Sequence, residues 1–383
     1  MSVYITDLAC FLPNDPISNE EMERMLGMVN DLPSRTRRIV LRNNGIKTRF
    51  YAIDPSSGEA THNNAQLAAE AVRRLHPYPG FALADLECLC CGTSIPDQIM
   101  PGHALMVQGE LAGAPPLEAV STAGVCLSGI TALKYAWMAV ACGEHRNAVA
   151  TGSELASSSM SARQMERVSA TKAEALHENP ALSFDEDFLR WMLSDGAGAA
   201  FLTADPPTGD RLVLRIDWIE TVSFAHMMDT CMYAGARKMA DGRLQGWRQF
   251  ERSEALATGV FNIKQDVRLL NEQIIRVTVD LALPGIMRKR ALKPEQVDWF
   301  LPHYSSNYFR LPLQQGLERV GMNIPGARWF TNLTSKGNTG SASFYIILEE
   351  LFKSGRLKRG EKLLCFIPES GRFSTGYLHL TVC

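Results

Sequence analysis

Two stretches of this chain answer each other at long distance, and that repeat limits the possible fold more than any single motif does. A helical segment from Ala65 to Leu75 leads to Leu86-Glu87-Cys88-Leu89-Cys90-Cys91-Gly92-Thr93-Ser94. A second, from Ile274 to Ala291, leads to Val297-Asp298-Trp299-Phe300-Leu301-Pro302-His303-Tyr304-Ser305. The two align at an offset of roughly 211 residues, the long-period self-similarity of a duplicated unit. Both copies continue alike. Val107-Gln108-Gly109-Glu110-Leu111-Ala112-Gly113 is matched by Gln314-Gln315-Gly316-Leu317-Glu318-Arg319-Val320-Gly321, and a strand, a small-residue turn and an apolar helix follow each. These helices are predicted from about Cys126 to Cys142 and from about Gly340 to Lys353, each leading into a further strand. Alternating strands and helices imply an α/β class with largely parallel sheets. Helices apolar on most faces belong between sheets. The halves are predicted to span 1–205 and 206–383.

The bulk numbers narrow the partners. The chain has 383 residues, 46 % hydrophobic and 21 % charged, the composition of a compact protein. A net charge of −2 gives no reason to expect nucleic acid. No basic stretch followed by an apolar run opens the sequence, and the apolar runs are too short to span a bilayer, so a cytoplasmic protein is expected, with no membrane partner. Its nine cysteines lack a disulfide framework. Cys88, Cys90 and Cys91 read as a buried strand using cysteine as a small hydrophobe. Neighbouring strand residues face opposite ways and no histidine pair accompanies them, so no metal is expected.

Two regions stand outside the repeat. Residues 156–190 are polar and Ser-rich and read as an exposed insertion with some helix. Residues 222–265 mix Met, Gly and aromatic residues, suited to capping a pocket.

The chemistry gathers at three places. In Ser121-Thr122-Ala123-Gly124-Val125-Cys126-Leu127-Ser128-Gly129 a β-like run ends in small residues and Cys126 opens an apolar helix. A thiol there feels the positive end of the macrodipole, which favours thiolate. A buried core cysteine is the commoner role for such a residue. His303 follows an apolar run, which places it at the C-terminal end of a strand, where α/β proteins hold ligands. Asn338 lies in the small-residue turn Ser335-Lys336-Gly337-Asn338-Thr339-Gly340-Ser341, about 212 residues after Cys126. The repeat therefore predicts that the two helix-opening turns meet, with His303 beside them.

These residues resemble the β-ketoacyl-acyl-carrier-protein synthase III family of the thiolase superfamily over most of the chain. Supporting matches are Tyr4-Ile5 through Leu12-Pro13, Gly45-Ile46-Lys47-Thr48-Arg49, Ser194-Asp195-Gly196-Ala197-Gly198-Ala199-Ala200, Pro302-His303 and Gly337-Asn338-Thr339. The resemblance implies a thiolase fold: duplicated βαβαβαββ halves forming a layered α-β-α-β-α sandwich. It implies that Cys126 carries an acyl group as a thioester, while His303 and Asn338 stabilise the enolate from decarboxylation of a malonyl-type thioester. It also implies an oxyanion hole from the Cys126 and Gly371 N–H groups, and Met100 reaching a partner's acyl pocket in a homodimer. Arg42 would contact coenzyme A. Acyl-coenzyme A and acyl-carrier-protein thioesters would be the substrates, with no cofactor.

The chain departs from that pattern in places. Its last loop reads Glu369-Ser370-Gly371-Arg372-Phe373-Ser374-Thr375-Gly376, where only Gly371 survives of the three-glycine run the family often has. Glu369 is thus an accessory candidate that contacts substrate or moves a proton; a salt bridge with Arg372 or a solvated loop is the alternative. Tyr304-Ser305-Ser306-Asn307 replaces the usual residues after the histidine, and the chain is some tens of residues longer than housekeeping members. These features suggest specialised fatty-acid or polyketide-like metabolism. The competing readings are a C–O or C–N acyltransferase using the same acyl-Cys126, and a non-catalytic partner subunit of a condensing heterodimer.

Overall fold

The computed structural model describes residues 1–34, 36–165, 188–207 and 209–383. Its frame is one mixed sheet of nine strands: β1 Tyr4–Phe11, β2 Cys88–Thr93, β3 Glu118–Ala123, β4 Asn147–Glu154, β5 Gly196–Thr203, β6 Leu214–Ser223, β7 Trp299–Pro302, β8 Lys362–Glu369 and β9 Ser374–Val382. The strand order is β7-β8-β9-β6-β1-β5-β4-β2-β3. Within the first half, β3, β2 and β4 run parallel, while β5 and then β1 pair antiparallel. The second half repeats this pattern: β7 is parallel to β8, and β9 and β6 follow antiparallel. Only its third strand is reduced, to a parallel bridge between Phe300 and Trp329. The half-sheets are joined by two residue pairs, Tyr4–Arg215 and Ile5–Leu214.

Side-chain alternation along the strands sorts the core into layers. Cys88 and Cys90 face one cluster, which also takes Ile130, Leu133 and Ala136 of α3 (Ser128–Ala141), Phe344, Tyr345 and Leu348 of the second half's helix at Ser343–Lys353, and strand residues of both halves. Leu89 and Cys91 face the opposite way, onto α1 (Asn64–Arg73) and α2 (His103–Glu110). The far side of the second half-sheet is covered by α4 (Val267–Ile275), α5 (Leu283–Arg290) and α6 (Arg310–Arg319). With Ser343–Lys353 as α7, the order of layers is α1/α2, sheet, α3/α7, sheet, α4/α5/α6. This is the predicted α-β-α-β-α sandwich. Among the described residues, no helix is long and apolar enough to cross a membrane.

The two non-repeat regions are less peripheral than their composition suggests. Most of the predicted insertion, 166–187, lies outside the described residues. Its described ends are mixed: Ala156, Ser157, Met160, Leu189 and Arg190 are all below 5 % exposure, while Ser158, Arg163 and Gln164 are exposed as an insertion would be. Ser157 is held there by its N–H, 2.8 Å from Asp195 Oδ1. Region 222–265 folds back in small two-stranded pairs, Met232–Tyr233 with Lys264–Gln265 and Ala236–Lys238 with Leu244–Gly246.

Candidate active site

The N-terminal ends of α3 and α7 face a cavity of ≈ 450 Å³ lined by Cys126, His303 and Asn338, and by Glu154, Glu369 and Gly371. Three distant chain segments supply the three predicted groups because the duplicated topology brings both helix-opening turns to one place.

Cys126 sits in a turn two residues before α3 begins at Ser128. The turn is closed by the Ser128 N–H and hydroxyl, both donating to the Val125 carbonyl at 3.1 and 2.7 Å. Glu369 spans the nucleophile: its Oε2 accepts from the Val125 N–H at 2.9 Å and the Leu127 N–H at 3.0 Å. The predicted easy ionisation of Cys126 is not what this site provides. Burial, then the Glu369 and Glu154 carboxylates, push the thiol well above its ordinary range, and its own backbone N–H opposes them only weakly. The favourable helix end that sequence alone foresees is already occupied by a carboxylate.

His303 follows β7 and extends its parallel pairing, its N–H donating to the Phe366 carbonyl at 2.8 Å. The side chain is buried, and among the described residues its ring nitrogens have no hydrogen-bond partner in the protein. Burial lowers its pKa to about 4. It is therefore a neutral imidazole near pH 7, with one N–H to donate.

Asn338 is fixed on three sides. Its N–H reaches the Met192 carbonyl at 3.1 Å, its carbonyl accepts from Ser194 N–H at 2.8 Å, and its Oδ1 accepts from Gly340 N–H at 3.0 Å. Fixing Oδ1 leaves the amide NH2 as the uncommitted group, a donor with no protein partner among the described residues. Gly371 lies between β8 and β9, its carbonyl accepting from Cys231 N–H at 2.9 Å. Its own N–H meets no acceptor among the described residues.

The remaining candidates separate. Met100 is 76 % exposed and outside the cavity of its own chain. Arg42 is exposed as well, because the helix Arg37–Asn44 buries Val40 and Asn44 and turns Arg42 outward; it does not line the cavity. Glu369 forms no ion pair with Arg372, whose Nε donates to the Met228 carbonyl at 2.8 Å. Region 222–265 does line the cavity, through Thr230, Met232, Tyr233, Leu244 and Ile263. Sequence reasoning missed Glu154, the buried last residue of β4, whose Oε2 accepts from Ser94 Oγ at 2.7 Å and Ser341 N–H at 3.2 Å. It also missed that Cys88 gathers with Glu118 and His145, with ligand-type atoms within 4.8 Å of one another. Hydrogen bonds account for that group: Glu118 bonds His145 Nε2 and accepts from the Tyr135 hydroxyl, both at 2.6 Å.

Paired half-sheets sandwiching two central helices, with cysteine and asparagine at the helix-opening turns and histidine at the end of β7, are the architecture of the thiolase fold. Comparison with known proteins narrows this. Residues 114–206 match the model of the β-ketoacyl synthase N-terminal domain, and 287–371 that of the 3-oxoacyl-[acyl-carrier-protein] synthase III C-terminal region. A β-ketoacyl-[acyl-carrier-protein] synthase III of Clostridium perfringens is 25 % identical over 92 % of this chain and 91 % of its own. Among solved structures, AbyA1, a tetronic acid condensing enzyme, superposes with a TM-score of 0.76 at 19 % identity, covering 99 % of each chain. OleA of Xanthomonas campestris, solved with lauric acid and lauroyl-CoA, gives 0.72 at 19 % identity, covering 100 % of this chain and 99 % of its own. Along nearly its whole length the chain is similar to the β-ketoacyl-acyl-carrier-protein synthases III, which marks it as an acyltransferase of the condensing kind.

Proposed function

We propose that this protein joins an acyl group, held on Cys126, to a malonyl-type thioester by decarboxylating Claisen condensation. The observation that carries the reading is the convergence of Cys126, His303 and Asn338 on one cavity. In the first step the Cys126 sulfur attacks the donor thioester. Its proton passes by way of His303 to the departing thiol, so the reaction starts from a neutral cysteine, in keeping with its raised pKa. The acyl chain then lies against apolar side chains such as Met192, Leu270, Ile274, Phe309 and Leu313.

In the second step the malonyl-type thioester places its carbonyl oxygen between the neutral imidazole of His303 and the Asn338 amide. Both donate to the oxygen as carbon dioxide leaves and negative charge develops on it. The carbanion carbon bonds to the acyl carbonyl, and the tetrahedral oxygen is held by the Cys126 and Gly371 N–H groups. Collapse expels the Cys126 thiolate and releases a 3-oxoacyl thioester. These steps use only side chains, backbone and substrates. Coenzyme A or a carrier protein would deliver the thioesters, with Arg42 outside the cavity as a candidate phosphate contact. A cytoplasmic homodimer would bring Met100 to the partner's acyl pocket.

The test is intact-protein mass spectrometry after exposure to an acyl-coenzyme A panel, followed by malonyl-coenzyme A with detection of carbon dioxide. A one-acyl adduct is expected on the native protein and none on Cys126→Ala. An adduct that survives in Cys126→Ala, or acyl transfer without carbon dioxide release, overturns the reading.

A further inference from the structure

Glu154 and Glu369 occupy equivalent places in the two halves. Each is the last residue of its half's fourth strand, β4 or β8. Each also reaches across to the other half. Glu369, from the second half, accepts from the N–H groups either side of Cys126, in the turn that opens α3. Glu154, from the first half, accepts from Ser341 N–H, in the turn that carries Asn338 and opens α7. Both carboxylates line the cavity.

The backbone around each contact is shaped to it. Gly340 has φ +53°, and a Cβ there would run into the Glu154 carboxylate. The same Gly340 donates its N–H to Asn338 Oδ1, so the residue that makes room for Glu154 also aims the amide. Ser341 Oγ is tied to the Ser153 carbonyl at 2.6 Å, which adds a second bond between the end of β4 and this turn. On the other side, Gly371, two residues from Glu369, lies close enough that a Cβ on it would press on Val125 at 3.0 Å. Loop and nucleophile turn are thus seated as a unit.

We propose that Glu154 and Glu369 are reciprocal positioning residues, Glu369 seating the nucleophile turn for acyl transfer to Cys126 and Glu154 seating the Asn338 turn for condensation. The assignment rests on the function proposed above for those two turns. It separates the half-reactions: each carboxylate serves the step run by the turn it holds, although it belongs to the opposite half of the chain. Glu369 has a second consequence. Its charge lies beside the thiol and fills the helix end that would otherwise favour thiolate, so the resting cysteine stays protonated until a thioester arrives. The other titratable or charged side chains lining the cavity are Glu154, His303, Tyr233, Tyr304 and Arg372.

The test takes Glu154→Gln, Glu154→Ala, Glu369→Gln and Glu369→Ala in the full chain and times the two steps apart. Acylation by acyl-coenzyme A is followed by mass; condensation is followed as a single turnover of pre-acylated enzyme with malonyl-coenzyme A. Glu369→Ala is expected to slow acylation at least about tenfold, with a clearly smaller loss in condensation by pre-acylated enzyme, which still draws on the Cys126 N–H. Glu154→Ala should show the reverse. The glutamine variants keep an acceptor oxygen and should rescue most of each loss. Glu369→Gln should also move the pH midpoint of Cys126 alkylation by iodoacetamide downward by about one unit, which a merely structural residue would not do. Equal slowing of both steps in every variant, in proportion to lost thermal stability, overturns the assignment, as does an unmoved alkylation profile. If the native protein acquires no acyl group, the proposed function fails instead. Acylation of the native protein with unchanged rates in all four variants sinks only the reciprocal roles.

Discussion

The two halves share a strand order but not a surface. Where they meet at the central helices, the first half presents glycine and the second an aromatic ring. Gly129, Gly152 and Gly198 all face Tyr345, and a Cβ on any of them would overlap the Tyr345 side chain or the Ser341 carbonyl. Duplicated topology therefore supplies two similar frames, and complementary side chains turn them into one body. The same division runs through the proposed chemistry: the turn of Cys126 lies in the first half, and His303 and Asn338, the proposed enolate donors, in the second.

The largest effects should come from the donors. His303→Ala and Asn338→Ala are each expected to cut condensation by about 10²–10³-fold, the usual loss when one oxyanion donor is removed. Acyl-Cys126 formation should survive best in Asn338→Ala, whose side chain takes no part in the proton's route. Single-turnover rates on pre-acylated protein give the comparison; an Asn338→Ala protein that condenses normally would place enolate stabilisation elsewhere.

The layered frame was legible because the repeat carries it: strands two and four and the central helix recur at a nearly constant offset. The third strand of the second half was not, since it shrinks to the Phe300–Trp329 bridge. At the site, Cys126, His303 and Asn338 could be read from their positions at strand ends and helix starts. The ionisation of Cys126 could not, because the carboxylate reversing it comes from the end of β8, some 240 residues away, a contact with no local signature. Glu154 looks like the polar end of an ordinary strand. The signal that would have found it is its equivalence to Glu369 at the end of strand four. Arg42 shows the converse: a match by motif alone does not say which way a helix faces.

A seam built of glycine against an aromatic ring should tolerate no addition on the glycine side. Gly152→Ala is expected to cost about 1–3 kcal/mol, the range for overpacking a tight core. Chemical denaturation measures it. Unchanged stability would mean that the halves can move apart slightly without loss, and that the seam is looser than its contacts imply.

A smaller effect should separate the halves by pH. Burial raises Glu154 to about 7, well above an ordinary glutamate. The folded protein therefore holds a proton that the unfolded chain releases near pH 4.5, and the stability linked to Glu154 falls as pH rises from there through about 7. Glu154→Gln carries no such charge. Its melting temperature relative to the native protein should climb between pH 5 and 8, by on the order of a few degrees. A difference that stays constant with pH would show that Glu154 is already ionised across that range.

The smallest expected effect probes the seam from its aromatic side. Tyr345 is fully buried, and its hydroxyl donates to the Gly129 carbonyl at 2.8 Å, a polar link between the two central helices. Tyr345→Phe keeps the ring that the glycines accommodate and removes only that bond. Gly129 lies within α3, so its carbonyl retains the bond of the helical ladder, and the loss should be about 1 kcal/mol, less than for Gly152→Ala. Comparing the two by denaturation asks what the halves recognise in each other. If shape dominates, Tyr345→Phe is the milder change and both acylation and condensation keep their rates. If the order is reversed, the seam depends on the hydroxyl, and the glycines serve the backbone bond more than the ring.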